Sequence, residues 1–287
     1  MKKSFYIIAF FTLTCIMFTG CKKWFNELDS KEDLSYLIRT YRRYDKNNNI
    51  YKEIWTYDGY RETWGRYYVN GQLSAEYKNY SYDGLNASWD YYSYNNYDVN
   101  DVNVHNHVEC EYLDKTFRRK KYQKSEYYYA DPQKDYIYEY HWVYDGKKII
   151  SYKSYKNGLL VVNRHDYNYN GLHCTYKETS YSSPNVVSEE RIYDIVYLDD
   201  TYLRTKSQKY TRERYDDNGV MYYSTTQYTV YDYDGKKPMG SHQYVDGELS
   251  NVARDYQYDG LTCCFFSDIY RDGEVTSTQM YEVEYLE

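Results

Sequence analysis

Proline is nearly missing from this chain, with 3 in 287 residues, and beyond the N-terminus there is no long apolar run. Scarce proline beside abundant aromatics argues against wholesale disorder, whose composition is poor in aromatic and β-branched residues. A mean hydropathy of −0.97 excludes a polytopic helical membrane protein. Basic excess is missing too: 36 Lys+Arg face 43 Asp+Glu, a formal net charge of −7. That balance argues against a nucleic-acid partner, which needs a basic footprint to replace counterions. No G-x-S-x-G, phosphate-cradling loop or metal-protease helix occurs, and no cofactor is implied. What the chain has is tyrosine, 47 residues of it. Each ring carries a hydroxyl that needs a partner or water, so a deep, dry core is not expected.

Lys2 and Lys3 precede an uncharged, mostly apolar run of 15 residues, Phe5 to Thr19. That is shorter than the roughly 20 residues that cross a bilayer as a helix, and it reads as a signal peptide over 1–20. The run ends in Phe18-Thr19-Gly20-Cys21, which resembles the lipobox of bacterial lipoproteins, with Phe18 where that family more often has Leu. The resemblance implies cleavage before Cys21, palmitate-type acylation of Cys21, and a membrane partner reached through that lipid. Lys22 does not resemble the Asp that retains some lipoproteins at the inner membrane, so the implied address is the outer membrane. Residues 21–35 read as a tether.

From Tyr36 onward the chain is punctuated by turns. Asp58-Gly59, Asn70-Gly71 and Asp83-Gly84 recur as Asp145-Gly146, Asn157-Gly158 and Asn170-Gly171, and again as Asp234-Gly235, Asp246-Gly247 and Asp259-Gly260. Each triplet has internal spacings of 12 and 13 residues, and the triplets are 87 and 89 residues apart. Asx-Gly between aromatic runs is a type I′ hairpin signal, because both central residues need positive φ. The Tyr-Leu pairs at Tyr36, Tyr112, Tyr197 and Tyr285 mark the same repeat. The reading is one β-repeat domain over 36–287, with copies 36–111, 112–196 and 197–287. Copy two contains strands near 116–129, 134–144, 147–156, 159–169, 172–182 and 186–197, and three copies give about eighteen.

Tyr138, Tyr140, Trp142 and Tyr144 fall on one face at period 2. A two-residue turn sets Tyr144 opposite Lys147 and adds Ile149, Ser151, Lys153 and Tyr155 to that face. Neither face is cleanly apolar, which favours a single layer wetted on both sides over a sandwich. The expected fold is all-β: an antiparallel meander of about 18 strands in three six-strand repeats, forming a large closed or nearly closed soluble barrel. An open, coiled single-layer sheet is the alternative. Closure follows from the chain holding a whole number of six-strand units, and it pairs 274–285 with 38–44 and removes two exposed edges.

Tyr215-Asp-Asp-Asn-Gly-Val-Met221 and Tyr44-Asp-Lys-Asn-Asn-Asn-Ile50 resemble the tyrosine-aspartate (YD) repeats of Rhs-type shell proteins and of envelope lipoproteins. That resemblance implies a hairpin meander and brings no catalytic residues. Internal comparison aligns Cys174 and Cys263 with Ala87, and Cys110 with Ile195 and Val283, so these thiols read as buried small hydrophobes. His105, His107 and Glu109 share a strand face, but their counterparts in the other copies include no histidine, and no metal is expected. Asp45, Asn47 and Asn49 imitate a calcium loop, yet Ile50 stands where glycine is required.

Trp55 and Trp142 hold equivalent places in an aromatic ladder, while Trp64 and Trp89 lack clear repeat roles, and these four are the ligand-stacking candidates. The function expected is a non-enzymatic, lipid-anchored envelope protein that binds a glycan, peptide or protein partner through its Tyr-rich surface. A structural scaffold or immunity-type protein is the alternative. A glycoside hydrolase, which would need two carboxylates in one groove, comes third.

Overall fold

Positive φ at chosen residues is what the Asx-Gly pairs supply, and the computed structural model shows where each is used. It describes residues 38–285 except 46–48, 116, 118, 130, 201, 203 and 236. The segments 1–20 and 21–35, with Cys21, lie outside the described residues.

Among the described residues every regular element apart from two single-turn 3₁₀ segments is a strand. The first copy supplies β1 (Ile38–Tyr44), β2 (Ile50–Asp58), β3 (Arg61–Val69), β4 (Gln72–Asp83), β5 (Asn86–Tyr94) and β6 (Val102–Tyr112). The second supplies β7 (Lys120–Tyr129), β8 (Tyr136–Asp145), β9 (Lys148–Lys156), β10 (Leu159–Asn170), β11 (His173–Ser183) and β12 (Val186–Tyr197). The third supplies β13 (Thr205–Tyr215), β14 (Met221–Asp234), β15 (Lys237–Val245), β16 (Glu248–Asp259), β17 (Thr262–Arg271) and β18 (Glu274–Tyr285). All eighteen form one antiparallel sheet in sequence order, and β1 pairs with both β2 and β18. Tyr41 faces Val283, Arg43 faces Tyr281, and Arg42 reaches Glu282 at 2.7 Å across that seam. The sheet is a closed barrel, as the whole-number repeat implied, and the open-sheet alternative falls.

The hairpins are of two kinds, which sort to opposite ends of the barrel. At one end both turn residues have positive φ, as in Asn157 (49°) and Gly158 (78°), the type I′ pattern. There the Asx does more than turn the chain. The Asn157 amide donates to Ile137 O and its side-chain oxygen accepts from Ile137 N, both at 2.8 Å. Asn70 clasps Ile50 and Asp246 clasps Thr226 in the same way. At the other end the Asx still belongs to the strand: Asp145 faces Lys148, and Gly146 is the first of two loop residues.

That second hairpin corrects the expected register. Tyr144 pairs with Ile149, a one-residue bulge follows, and Val143 then faces Ser151. A one-residue slip moves every later side chain across the sheet. Tyr138, Tyr140 and Trp142 therefore share their face with Lys156, Ser154 and Tyr152, and Ser151, Lys153 and Tyr155 go to the other side. Equivalent bulges interrupt β3, β7, β13 and β15. A bulge bends its strand and tightens the local twist, and a flat wall needs that to curve closed. The carbonyl it frees is met each time by a tyrosine hydroxyl from the Tyr-Asx-Gly of the hairpin beyond: Tyr82 to Glu62 O (2.8 Å), Tyr144 to Lys120 O (3.0 Å), Tyr169 to Ile149 O (2.9 Å), Tyr233 to Thr205 O (3.0 Å) and Tyr258 to Pro238 O (2.7 Å). The tyrosine before these five Asx-Gly pairs is thus explained by a hydrogen bond.

Packing is concentrated in three small clusters, one per copy, near this bulged end. Ala87, Cys110 and Tyr112 pack with Tyr82 and Phe117. Cys174, Ile195, Tyr176 and Tyr193 form the second cluster, and Cys263, Val283, Phe265 and Tyr281 the third. Cys110, Cys174 and Cys263 are buried, as their alignment with small apolar residues implied. Nearly all buried side chains lie on this aromatic face. On a wall that curves closed, side chains of the concave side converge while those of the convex side splay apart, and the aromatic face shows that crowding.

Candidate functional site

Strand register carries one set of side chains straight across six strands of the aromatic face. Trp142 on β8 faces Tyr152 on β9, which faces Arg164 on β10, then Glu178 on β11, Arg191 on β12 and Arg212 on β13. The adjacent row runs Tyr140, Ser154, Val162, Ser180, Glu189 and Arg214. Three smaller side chains, Ser154, Val162 and Ser180, lie in its middle between an aromatic end and a charged end.

The aromatic end is a strip along β8. Tyr136, Tyr138, Tyr140 and Trp142 alternate out of one face of the strand, all half-buried. Successive ring centroids are 5.3, 5.7 and 6.0 Å apart, and Tyr152 packs 5.3 Å from Trp142. Lys156 Nζ sits 4.3 Å from the centre of the Tyr136 ring.

At the charged end two carboxylates lie beneath four guanidiniums. Arg164 Nε donates to Glu178 at 2.6 Å and Arg191 Nη1 to the same carboxylate at 2.7 Å. Arg191 Nη2 also meets Glu189 at 2.5 Å, and Arg212 Nε and Arg214 Nε donate to Glu189 at 2.6 and 3.0 Å. Glu178 and Glu189 side chains are 4% and 12% exposed, against 26% for Arg212 and 40% for Arg214. Burial works against ionisation of Glu189, but Arg191, Arg214 and Arg212 outweigh it and hold its carboxyl below the usual range. The acids are covered and the cations face the solvent.

The four tryptophans have different surroundings. Trp55 is buried against Gly65 and the Tyr67 and Tyr77 rings. Trp89 stacks on Tyr80 at 5.7 Å, with Lys120 5.6 Å from its ring. Trp64 lies on the opposite face beneath Arg66, 4.3 Å away. Trp142 alone belongs to the β8 strip.

On the opposite face His105 and His107 both bind Asp90, at 3.2 and 2.8 Å, and Tyr92 stacks on His105 at 4.5 Å. Burial disfavours the Asp90 carboxylate, yet hydrogen bonds from Asn79, His107 and His105 prevail and lower its proton affinity. Glu109 instead lines a shallow depression with Ser88 and Tyr122. Among the described residues no group of three or more His, Cys, Asp or Glu is placed to hold a metal ion. Asp45 accepts from the Asn49 backbone at 2.9 Å, the geometry of a turn. Among the described residues, the carboxyls with displaced proton affinity are Glu76, Asp90, Glu126, Glu189, Asp246 and Asp268, and all are displaced downward. A glycosidase general acid needs the opposite shift, which none of these six groups has.

The arginine row escaped sequence reading, although the repeat held a signal for it. Positions 164, 178 and 191 correspond to Tyr77, Tyr91 and Asn106 in copy one and to Ala253, Ser267 and Gln279 in copy three. Charge at all three positions occurs in copy two alone.

No protein-family model matches the chain, and a search of curated proteins gives no match. Among solved structures it is similar to a porin-like protein from Bacteroides vulgatus, with 10% identity over 87% of this chain and 98% of that one, at a TM-score of 0.39. A likeness of that size carries no functional argument. The expected kinship with YD-repeat lipoproteins is corrected: no such family matches, and the strands close into an 18-strand barrel. The recurrent Tyr-Asx-Gly turns of this chain follow instead from the hydroxyls that meet the bulge carbonyls and from the hairpins themselves.

Proposed function

We propose that this barrel is a non-enzymatic ligand-binding protein of the cell envelope, and that its aromatic face holds a sugar chain. The observation that carries this reading is the β8 strip, Tyr136, Tyr138, Tyr140 and Trp142, half-exposed on one strand and bordering a row of smaller side chains. Sugars present apolar C–H faces rimmed by hydroxyls, and amphipathic Tyr and Trp rings match both parts at low conformational cost. The basic and then apolar stretch at 1–19 supports export. Trp142 is the stacking residue of this proposal, Trp89 lies on the same face outside the strip, and Trp55 is enclosed by its own neighbours.

Affinity electrophoresis of the purified protein through gels containing neutral polysaccharides tests the reading. Retardation by at least one polymer is expected, reduced about tenfold in affinity by Trp142→Ala, the equivalent of ~1.4 kcal/mol. Trp64→Ala, on the other face, leaves it unchanged. Equal mobility with and without every polymer, or a Trp142→Ala protein retarded like the wild type, removes the sugar reading and favours the scaffold class.

A further inference from the structure

The barrel is built three times over from one strand pattern, so equivalent rows can be compared within a single molecule. In copy one the registered row reads Trp55, Gly65, Tyr77, Tyr91, Asn106. In copy three it reads Tyr231, Ser241, Ala253, Ser267, Gln279. Neither carries a charge. In copy two the same row reads Trp142, Tyr152, Arg164, Glu178, Arg191, so the fold does not require ions there. A buried ion pair contributes little net stability over an apolar or small polar replacement, so stability is a poor reason for the charged version.

The balance of the cluster has a sign. Arg164, Arg191, Arg212 and Arg214 share two carboxylates, Glu178 and Glu189, leaving a surplus of two positive charges on an otherwise acidic chain. The carboxylates are at the bottom and the guanidiniums at the surface. Each guanidinium has five N–H donors in a planar fork, more than the glutamates take up, and the four side chains are 26–40% exposed. Arg214 lies 5.5 Å from the Tyr223 ring and Arg164 4.6 Å from Tyr152, so the cations are held against aromatic planes. The nearest further acids on these strands, Glu190 and Glu213, face the other side, where Tyr215 bonds both.

We infer that the face along the two rows from Trp142 and Tyr140 to Arg212 and Arg214 binds an acidic saccharide, with sugar rings on the β8 strip and its carboxylate or sulfate groups on the guanidiniums. The row from β8 to β13 crosses five interstrand steps, about 24 Å at ~4.8 Å per step, the length of several sugar units. This rests on the sugar-binding reading of the aromatic face and adds the charge of the ligand.

Three hexasaccharides built on galacto-configured rings separate the two ideas: a neutral galactan, a polygalacturonate and a sulfated galactan, each titrated calorimetrically into the full-length protein, with inorganic sulfate as the bare oxyanion. The acidic oligomers should bind about tenfold more tightly than the neutral one. The advantage should shrink as ionic strength rises from about 0.05 to 0.5 M, because the contacts face solvent. Arg214→Gln leaves Glu189 with two arginine partners, and Arg164→Gln leaves Glu178 with Arg191. Both should lose the acidic advantage while melting normally and keeping the neutral oligomer. Polygalacturonate against sulfated galactan decides which oxyanion fits. Equal binding of neutral and acidic oligomers, or arginine variants that bind both as before, overturns the charge inference and leaves the sugar reading intact. Inorganic sulfate competing as strongly as the sulfated hexamer overturns the saccharide part. No binding by any of the four removes both readings together.

Discussion

At the scale of single residues the protein uses tyrosine where a globular protein would use a mixed apolar core. A ring on a single-layer wall can bury its edges against neighbours and still deliver a hydroxyl to a carbonyl or to water. Glycine has an opposite use at one position. Gly65 lies under the Trp55 ring, and a Cβ there would meet Trp55 Cζ3 at 2.5 Å. The equivalent position in copy two is Tyr152, which holds its tryptophan at 5.3 Å, so the repeat alternates a large–small and a large–large pair. Gly65→Ala should therefore cost about 1–3 kcal/mol by overpacking, read as a lower midpoint in urea unfolding. A midpoint equal to wild type would show that Trp55 moves aside freely.

At the scale of strands and hairpins, bulge and tyrosine act as a unit. The bulge bends the strand, a carbonyl loses its ladder partner, and the hydroxyl of the next Tyr-Asx-Gly supplies one. Tyr169→Phe keeps the ring and its stacking on Tyr167 but deletes the 2.9 Å bond to Ile149 O. Leaving that carbonyl unpaired should cost about 1–3 kcal/mol. Tyr222→Phe, on a ring 66% exposed, should change nothing measurable. The check is the difference between the two variants in thermal unfolding; identical midpoints would mean that water meets the bulge carbonyl equally well.

At the scale of the whole barrel the many buried phenols set a limit on alkaline stability. Burial pushes Tyr127 and Tyr144 up to about 12, and moves Tyr169 and Tyr176 higher still. In the unfolded chain a phenol ionises near pH 10, and each unit of difference is worth ~1.4 kcal/mol per group. The folded state thus holds more protons than the unfolded state above pH 10. Stability is fully present below that value and is lost as pH rises toward and beyond 12. Phenolate absorbance followed together with the β-sheet circular dichroism should rise late and in one cooperative step as the sheet is lost. A gradual titration of all 47 tyrosines near pH 10 with the fold intact would contradict this.

The sequence by itself determined the class, the repeat and a count of about eighteen strands, because turn chemistry is local: each of these Asx-Gly pairs places its glycine at positive φ and reverses the chain, while closure was settled by the pairing of β1 with β18. It also placed the thiols of Cys110, Cys174 and Cys263 among small apolar positions, since internal alignment compares like environments. The tertiary structure alone decided which side chains share a face. A bulge adds one residue to one strand and carries no composition signal of its own, yet it sends Tyr152 to the side of Trp142 and Lys153 to the other. Arg164, Glu178, Arg191 and Arg212 lie on four different strands. Only the register of the closed wall sets them side by side, and only their depth in it turns a mixed set of charges into covered acids beneath more exposed cations.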